Sequence, residues 1–260
     1  MQAEGLAFSF DPGVALVAGG SGGIGSAIVT ALARAGSDVI FTYHHNKPAA
    51  DRLLAALANS GRRVEAVQLS LENSAAVIAQ LADQRIRFGK IHSVVYAAGP
   101  ATPINFVGSL TEQQWVHTFQ HDTHACFNLV SAALPILKEQ RGGSITAVTT
   151  TQYARHVPMS VLSSAPKAAI ESMLQVAARE YGRYGVRANS VRSGWLDGGK
   201  FADGIGGQVE DKAKQAITAA IPLGALGDPA DVAHAVVFLS SKLASYITGE
   251  ALSVDGGWKL

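Results

Sequence analysis

The chain has 260 residues, 48% of them hydrophobic and only 16% charged, so it can bury a sizeable core and is not a charge-extended disordered protein. Its 21 basic and 20 acidic residues leave a formal net charge of +1 with no cationic cluster, which argues against nucleic acid as a principal partner. Neither a long apolar run nor a signal-peptide pattern is visible, so no membrane partner is expected, and the single cysteine, Cys126, suits a reduced, cytoplasmic compartment.

From the N-terminus, short β-branched runs alternate with Ala-rich helical patterns. Strands are predicted at 14–18, 39–43, 64–69, 93–98, 144–149, 187–191 and 251–254, and helices at 24–35, 49–60, 74–88, 111–140, 163–184 and 229–240. Parallel strands joined by right-handed crossovers give one open α/β sheet of seven strands with helices on both faces. No repeat or linker divides the chain, so 1–260 reads as a single domain, with an integral substrate loop at about 195–220. Its glycine-rich part, 195–207, reads either as a lid over a site or as an ordinary connection.

Between the first strand and first helix lies Ala18-Gly19-Gly20-Ser21-Gly22-Gly23-Ile24-Gly25. Glycines there permit a tight turn and a close approach to a diphosphate, which the helix N-terminus then meets with its amides and dipole; the alternative is a tight turn with no ligand. In this context Gly19, Ser21, Gly23, Ile24 and Gly25 are candidate dinucleotide contacts. After the second strand, where a carboxylate would select NAD, the chain has Thr42-Tyr43-His44-His45-Asn46-Lys47. With no carboxylate to repel a 2′-phosphate, and with His44, His45 and Lys47 nearby, NADP is expected over NAD.

From Val14 to Trp258 the chain resembles the short-chain dehydrogenase/reductases, and among them the β-ketoacyl-[acyl carrier protein] reductases. The resemblance rests on the glycine turn, on Ile221-Pro222-Leu223-Gly224-Ala225-Leu226-Gly227-Asp228-Pro229, on Tyr246-Ile247-Thr248-Gly249, and on Val254-Asp255-Gly256-Gly257. It implies a doubly wound Rossmann fold, a nicotinamide cofactor and a homotetramer assembled through the two long helices and the C-terminal segment. It also implies a Ser that holds the substrate carbonyl, a Tyr that donates the proton, a Lys four residues later on the nicotinamide ribose, and an Asn in a water relay.

Residue by residue, Thr150 falls at the Ser position and Lys167 at the Lys position, while Ser163 stands where the resemblance expects Tyr. Asp122 occupies the relay position, and Ser70 with Leu71 occupies the adenine side after the third strand. The signature after the fourth strand is Tyr96-Ala97-Ala98-Gly99, of which Ala98 and Gly99 allow close approach to the cofactor. After the sixth strand stand Ser193, Gly194 and Trp195, where serine in place of proline is expected to loosen the nicotinamide side. A serine hydroxyl is far less acidic and shorter than a phenol, so Ser163 is a poor direct donor.

Asp122, reaching Lys167 through water, and Tyr153, three residues past Thr150, are the candidate replacements, beside water ordered by Ser163 and Lys167 or the substrate itself. The alternatives are a structural Asp122–Lys167 pair and a packing tyrosine. His156 is a further titratable group in the same loop. His117, His121 and His124 share helical spacing, but they lack a cysteine and read as a solvated or subunit-facing stripe, so no metal is expected.

These residues support an NADP-dependent oxidoreductase acting on a carbonyl or alcohol, with small molecules or acyl thioesters such as 3-oxoacyl thioesters as substrates. The alternatives are a non-catalytic subunit that pairs with an active homologue in a hetero-oligomer, and a dehydratase, isomerase or lyase on the same fold.

Overall fold

The computed structural model describes residues 7–197 and 211–260, and the side chains of residues 211–213 are outside that description. Seven parallel strands form one sheet in the order β3-β2-β1-β4-β5-β6-β7. They are β1 Val14–Ala18, β2 Asp38–Tyr43, β3 Val64–Gln68, β4 Ile91–Tyr96, β5 Gly143–Thr150, β6 Val186–Ser193 and β7 Ala251–Val254. Helices α1 (Gly23–Arg34), α2 (Lys47–Leu57) and α9 (Pro229–Ser240) contribute to one face, and α3 (Ser74–Phe88), α5 (Ala125–Glu139) and α7 (Val161–Tyr181) to the other. The seven-stranded doubly wound α/β fold expected from the alternating pattern is what the chain forms.

The sequence of β1, VALVA, shows why both faces are covered. Val14, Leu16 and Ala18 enter the core shared with α3, α5 and α7, while Ala15 and Val17 enter the core shared with α1, α2 and α9, and all five are buried. A strand buried on both faces has no polar side to show, so its sequence is continuously apolar instead of alternating.

Three elements differ from the sequence reading. The single helix expected at 111–140 is α4 (Glu112–Phe119), a π-helical turn (Gln120–His124) and then α5. A short helix, α6 (Gln152–Arg155), sits in the connection after β5. The stretch 195–220, read as a loop, contains helix α8 (Asp211–Ala219), so it is not loop throughout. Most of the glycine-rich part, 198–210, lies outside the described residues. No helix among the described residues is long and apolar enough to cross a membrane.

Candidate active site

The strand order reverses direction about β1, with β2 on one side and β4 on the other, so a crevice opens at the C-terminal ends of these strands. The glycine turn lines it. Gly19 has φ +80° and packs so tightly that a Cβ there would stand 2.8 Å from the Ala98 Cα. A Cβ on Gly25 would run into the Gly19 carbonyl oxygen, so the first turn of α1 can approach the loop only without a side chain at that position. The turn is tied to β2, since the Gly19 amide donates to Thr42 Oγ1 at 3.2 Å and the Gly20 amide to the Thr42 carbonyl at 2.9 Å. The N-cap of α1, Gly22, makes no side-chain capping bond, which leaves the first-turn amides of Gly23, Ile24 and Gly25 without a local anionic or hydroxyl partner. A glycine-rich cradle at a helix N-terminus fits a nucleotide diphosphate.

Around that cradle stand the other expected cofactor contacts. His44 and His45 follow β2 with ring centroids 3.6 Å apart. Lys47, expected to help with a 2′-phosphate, forms an exposed ion pair with Asp51 at 2.8 Å. Ser70 and the buried Leu71 follow β3, and the Leu71 carbonyl accepts from Asn128 Nδ2 at 2.9 Å. At the end of β6, the Ser193 carbonyl accepts from the Thr151 amide at 3.0 Å, and just past it the Gly194 amide donates to the Val254 carbonyl at 2.9 Å. A Cβ on Gly194 would stand 2.6 Å from Asp255 Cα. The segment expected to be loosened by Ser193 is therefore fastened by backbone hydrogen bonds on both sides. Trp195 packs edge-on against Trp258 with centroids 6.1 Å apart.

The chemistry-bearing side chains gather one strand over. Lys167 lies on α7 one turn after Ser163, so the two share a helix face. Its Nζ donates to Asp122 Oδ1 at 2.7 Å and to the Ala98 carbonyl at 3.2 Å, and it sits 5.1 Å from the centroid of the Tyr96 ring. The contact with Asp122 is direct, where the sequence reading placed a water between them. Asp122 reaches it because it lies in the π turn, where the helix is locally widened and the carboxylate is buried at 3% exposure.

Tyr96, fully buried, donates to the Asp122 carboxylate at 3.0 Å and lies 2.9 Å from its carbonyl oxygen. Burial, and next to it the Asp122 charge, raise this phenol well above the ordinary tyrosine range, so it stays protonated. Gly99, at φ +144°, covers the pair; a Cβ there would stand 3.4 Å from both Asp122 Oδ1 and Lys167 Nζ. Buried Cys126 has its thiol pushed up by desolvation and is no nucleophile.

Thr150 ends β5, and its Oγ1 accepts from the Gln152 amide at 3.2 Å as α6 begins. Tyr153, on α6, is turned into a second cluster. Its hydroxyl accepts from Arg192 Nε at 2.9 Å and is hydrogen-bonded to Glu171. Burial and the Glu171 contact raise its pKa. Burial alone would raise the Glu171 carboxyl as well, but hydrogen bonds from Arg192, Tyr153 and Thr149 outweigh it and hold the carboxyl below its ordinary value. The structure thus brings Asp122 and Lys167 into direct contact, with Ser163 one helical turn away, and places Tyr153 in another network. His156 is exposed in a left-handed conformation, φ +49°. His117 and His121 stack at 3.9 Å, and His121 Nε2 lies 3.2 Å from Glu72 Oε1.

Sequence reasoning missed Glu171 and Arg192, and took Tyr96 only as part of the signature after β4. Their signal was a phenol, a carboxylate and a guanidinium at positions with apolar or small neighbours, but nothing local shows that they meet neighbours 20 or more residues away.

A family model described as enoyl-(acyl carrier protein) reductase matches residues 18–259. The chain belongs to the short-chain dehydrogenase/reductase family. This short-chain dehydrogenase/reductase is 30% identical over 243 residues to the 3-oxoacyl-[acyl-carrier-protein] reductase of Staphylococcus aureus, spanning 94% of this chain and 96% of that enzyme. It is 32% identical to the L-rhamnose 1-dehydrogenase (NAD(P)(+)) of a Sphingomonas species, over 93% and 94% of the two chains. A solved short-chain dehydrogenase/reductase from Mycobacterium ulcerans superposes with a TM-score of 0.89 at 25% identity, covering 98% of this chain and 91% of that one. The kinship is with oxidoreductases, and the two named enzymes act on different substrate classes, so family membership leaves the substrate to be argued from the site.

Proposed function

We propose that this short-chain dehydrogenase/reductase is an NADP(H)-dependent ketoreductase or dehydrogenase that works without a phenol at position 163, with 3-oxoacyl thioesters as the first substrate class to test. The observation that carries the reading is the Lys167–Asp122 contact of 2.7 Å beside the glycine cradle, because a scaffold has no need for a buried charged pair at the mouth of a nucleotide site. The cradle at Gly19, Ser21, Gly23, Ile24 and Gly25 would hold the diphosphate, Ser70 and Leu71 the adenine side, and Ala98, Gly99, Gly194 and Trp195 the nicotinamide half. When bound, the nicotinamide supplies or accepts the hydride.

The chain's own residues then bind and orient. Thr150 Oγ1 holds the substrate oxygen. Lys167 spends two of its three N–H donors on Ala98 and Asp122, which leaves one for the cofactor ribose. Asp122, accepting from both Tyr96 and Lys167, keeps that ammonium in place as its counter-ion. Ser163, one turn from Lys167, orders the water that delivers or takes the proton at the substrate oxygen. NADP is favoured over NAD because residues 42–47 carry no acid while His44, His45 and Lys47 follow β2. Assembly as a homotetramer, or with an active homologue, is supported by Phe127 on α5 and Val176 on α7, which are 55% and 54% exposed apolar side chains on the two long helices.

The test is a fluorescence titration with NADPH and with NADH, followed by turnover of ketones and acetoacetyl-coenzyme A. Tighter NADPH binding with turnover supports the reading; no binding of either nucleotide overturns it. Light scattering at the mass of a single chain would overturn the assembly.

A further inference from the structure

Among the described residues, the buried carboxylates Asp122 and Glu171 each anchor a group of charges, and the Asp122 group lies at the cradle. The second is built on Glu171, one helical turn beyond Lys167 on α7 and 5% exposed. Its carboxylate accepts from Thr149 Oγ1 at 2.8 Å, from Ser190 Oγ at 3.1 Å, and from Arg192 through Nε at 3.0 Å and Nη2 at 2.8 Å. Arg192 is opposite Thr149 in the β5–β6 register, so its side chain is delivered to the same point of the sheet. From there Nε also donates to the Tyr153 hydroxyl at 2.9 Å, and the guanidinium lies 5.1 Å from the centroid of the Tyr153 ring. Tyr153 is on α6, whose first amides include the Gln152 N–H that donates to Thr150 Oγ1.

The path is continuous. It runs from α7 through Glu171 and Arg192 to Tyr153, through one short turn of helix, to the hydroxyl of Thr150. The other end of α6 is fastened as well, since Arg155 Nη1 donates to the Trp258 carbonyl at 2.7 Å and its guanidinium lies 5.1 Å from the Trp258 ring. A four-residue helix cannot hold itself together in water, so its place is set by these side chains.

We propose that Arg192 and Glu171 are positioning residues that, through Tyr153, fix α6 and thereby the hydroxyl of Thr150 against the substrate carbonyl. Tyr153 is a strut in this arrangement and not the proton donor. The inference rests on the reading of Thr150 as the group that holds the substrate oxygen. An interaction that orients a reacting group without touching the nucleotide acts on the substrate step alone.

The experiment uses Tyr153→Phe in the full chain, which keeps the ring and removes only the hydroxyl. Arg192→Lys serves as the second variant: it retains the buried charge opposite Glu171 but loses the fork that reaches Tyr153. With acetoacetyl-coenzyme A, both variants are expected to raise KM so that kcat/KM falls about tenfold. The NADPH dissociation constant should stay within about twofold, and the pH–rate profile should keep its wild-type shape. Trypsin cleavage after the exposed Arg155 should become about fivefold faster relative to other sites, because α6 is released.

A loss of kcat of about a hundredfold or more with an altered pH limb would make Tyr153 a proton donor and overturn the proposal. Unchanged kcat/KM with unchanged cleavage would overturn it too. If the wild-type chain turns over no carbonyl substrate, it is the ketoreductase reading that fails. The cleavage rate at Arg155, which needs no activity, then still decides the strut.

Discussion

The β1–α1 turn and the corner formed by Tyr96, Asp122 and Lys167 lie on the same edge of the sheet, yet they are built by different means. At the turn few side chains are present: Gly19 and Gly25 are required by contact, and the N-cap of α1 is a glycine with no side chain to cap the helix. At the corner almost everything is a side chain, with an ammonium, a carboxylate and a phenol interlocked within 3.0 Å. A backbone device has few substitutes, because a Cβ on Gly19 or Gly25 would run into neighbouring backbone atoms. A side-chain device can be rebuilt from other residues as long as charge and hydrogen bonds balance, and here a π turn brings Asp122 directly onto Lys167.

The largest effect that would break this comparison is expected from Gly25→Val. Its side chain would collide with the Gly19 carbonyl, costing about 1–3 kcal/mol of stability and abolishing NADPH binding. Thermal unfolding and the fluorescence titration measure both, and retained binding would mean that the turn is not the nucleotide cradle. Lys167→Ala follows. It leaves the 3%-exposed Asp122 without its counter-ion, so a loss of the order of 3 kcal/mol in stability is expected, together with weaker cofactor binding. A variant as stable and as tight-binding as the parent would dissolve the corner as a unit.

A control comes from the other end of β4. His92 is 5% exposed, 3.0 Å from both Ser37 Oγ and Ser93 Oγ, and burial lowers its pKa to about 4, against the weaker opposing pull of Asp11 and Asp38. The unfolded chain takes up a proton near pH 6.5 while the folded chain resists until about pH 4, so stability is fully present above pH 6.5 and is lost as the pH falls through that window. Chemical denaturation is expected to show a loss of about 2 kcal/mol between pH 7 and pH 5 from this residue, and His92→Asn should flatten that part of the profile. The smallest effect is Thr42→Val, which removes the acceptor of the Gly19 amide and should cost about 1 kcal/mol, with a modest loss of NADPH affinity. If it moved neither, the tie between β2 and the turn would be incidental.

Reading the residues in order, the turn was legible almost completely. Strand, glycines and helix are consecutive, and local geometry alone requires small residues there. The ends of β1, α3, β7 and α9 fell where the pattern placed them, because caps such as Asn73 and Asp228 and the apolar period are local features. Ser163 and Lys167 were also legible as a pair, since spacing on one helix is fixed by its pitch.

The corner was legible only as a set of names. Whether Asp122 touches Lys167 directly depends on a π turn that no short window encodes, and whether Tyr153 faces the substrate or Arg192 depends on a strand that arrives 39 residues later. Hydrophobic periodicity, helix pitch and the steric needs of glycine are properties of neighbouring residues, so the chain by itself determined the doubly wound sheet, the tight glycine turn and the Ser163–Lys167 face. Partnerships among buried charges are settled by which elements the sheet brings side by side, because a desolvated ion takes the nearest satisfactory partner in space. That is why tertiary structure alone decided that Lys167 answers to Asp122 and Tyr96, and that Tyr153 answers to Arg192 and Glu171.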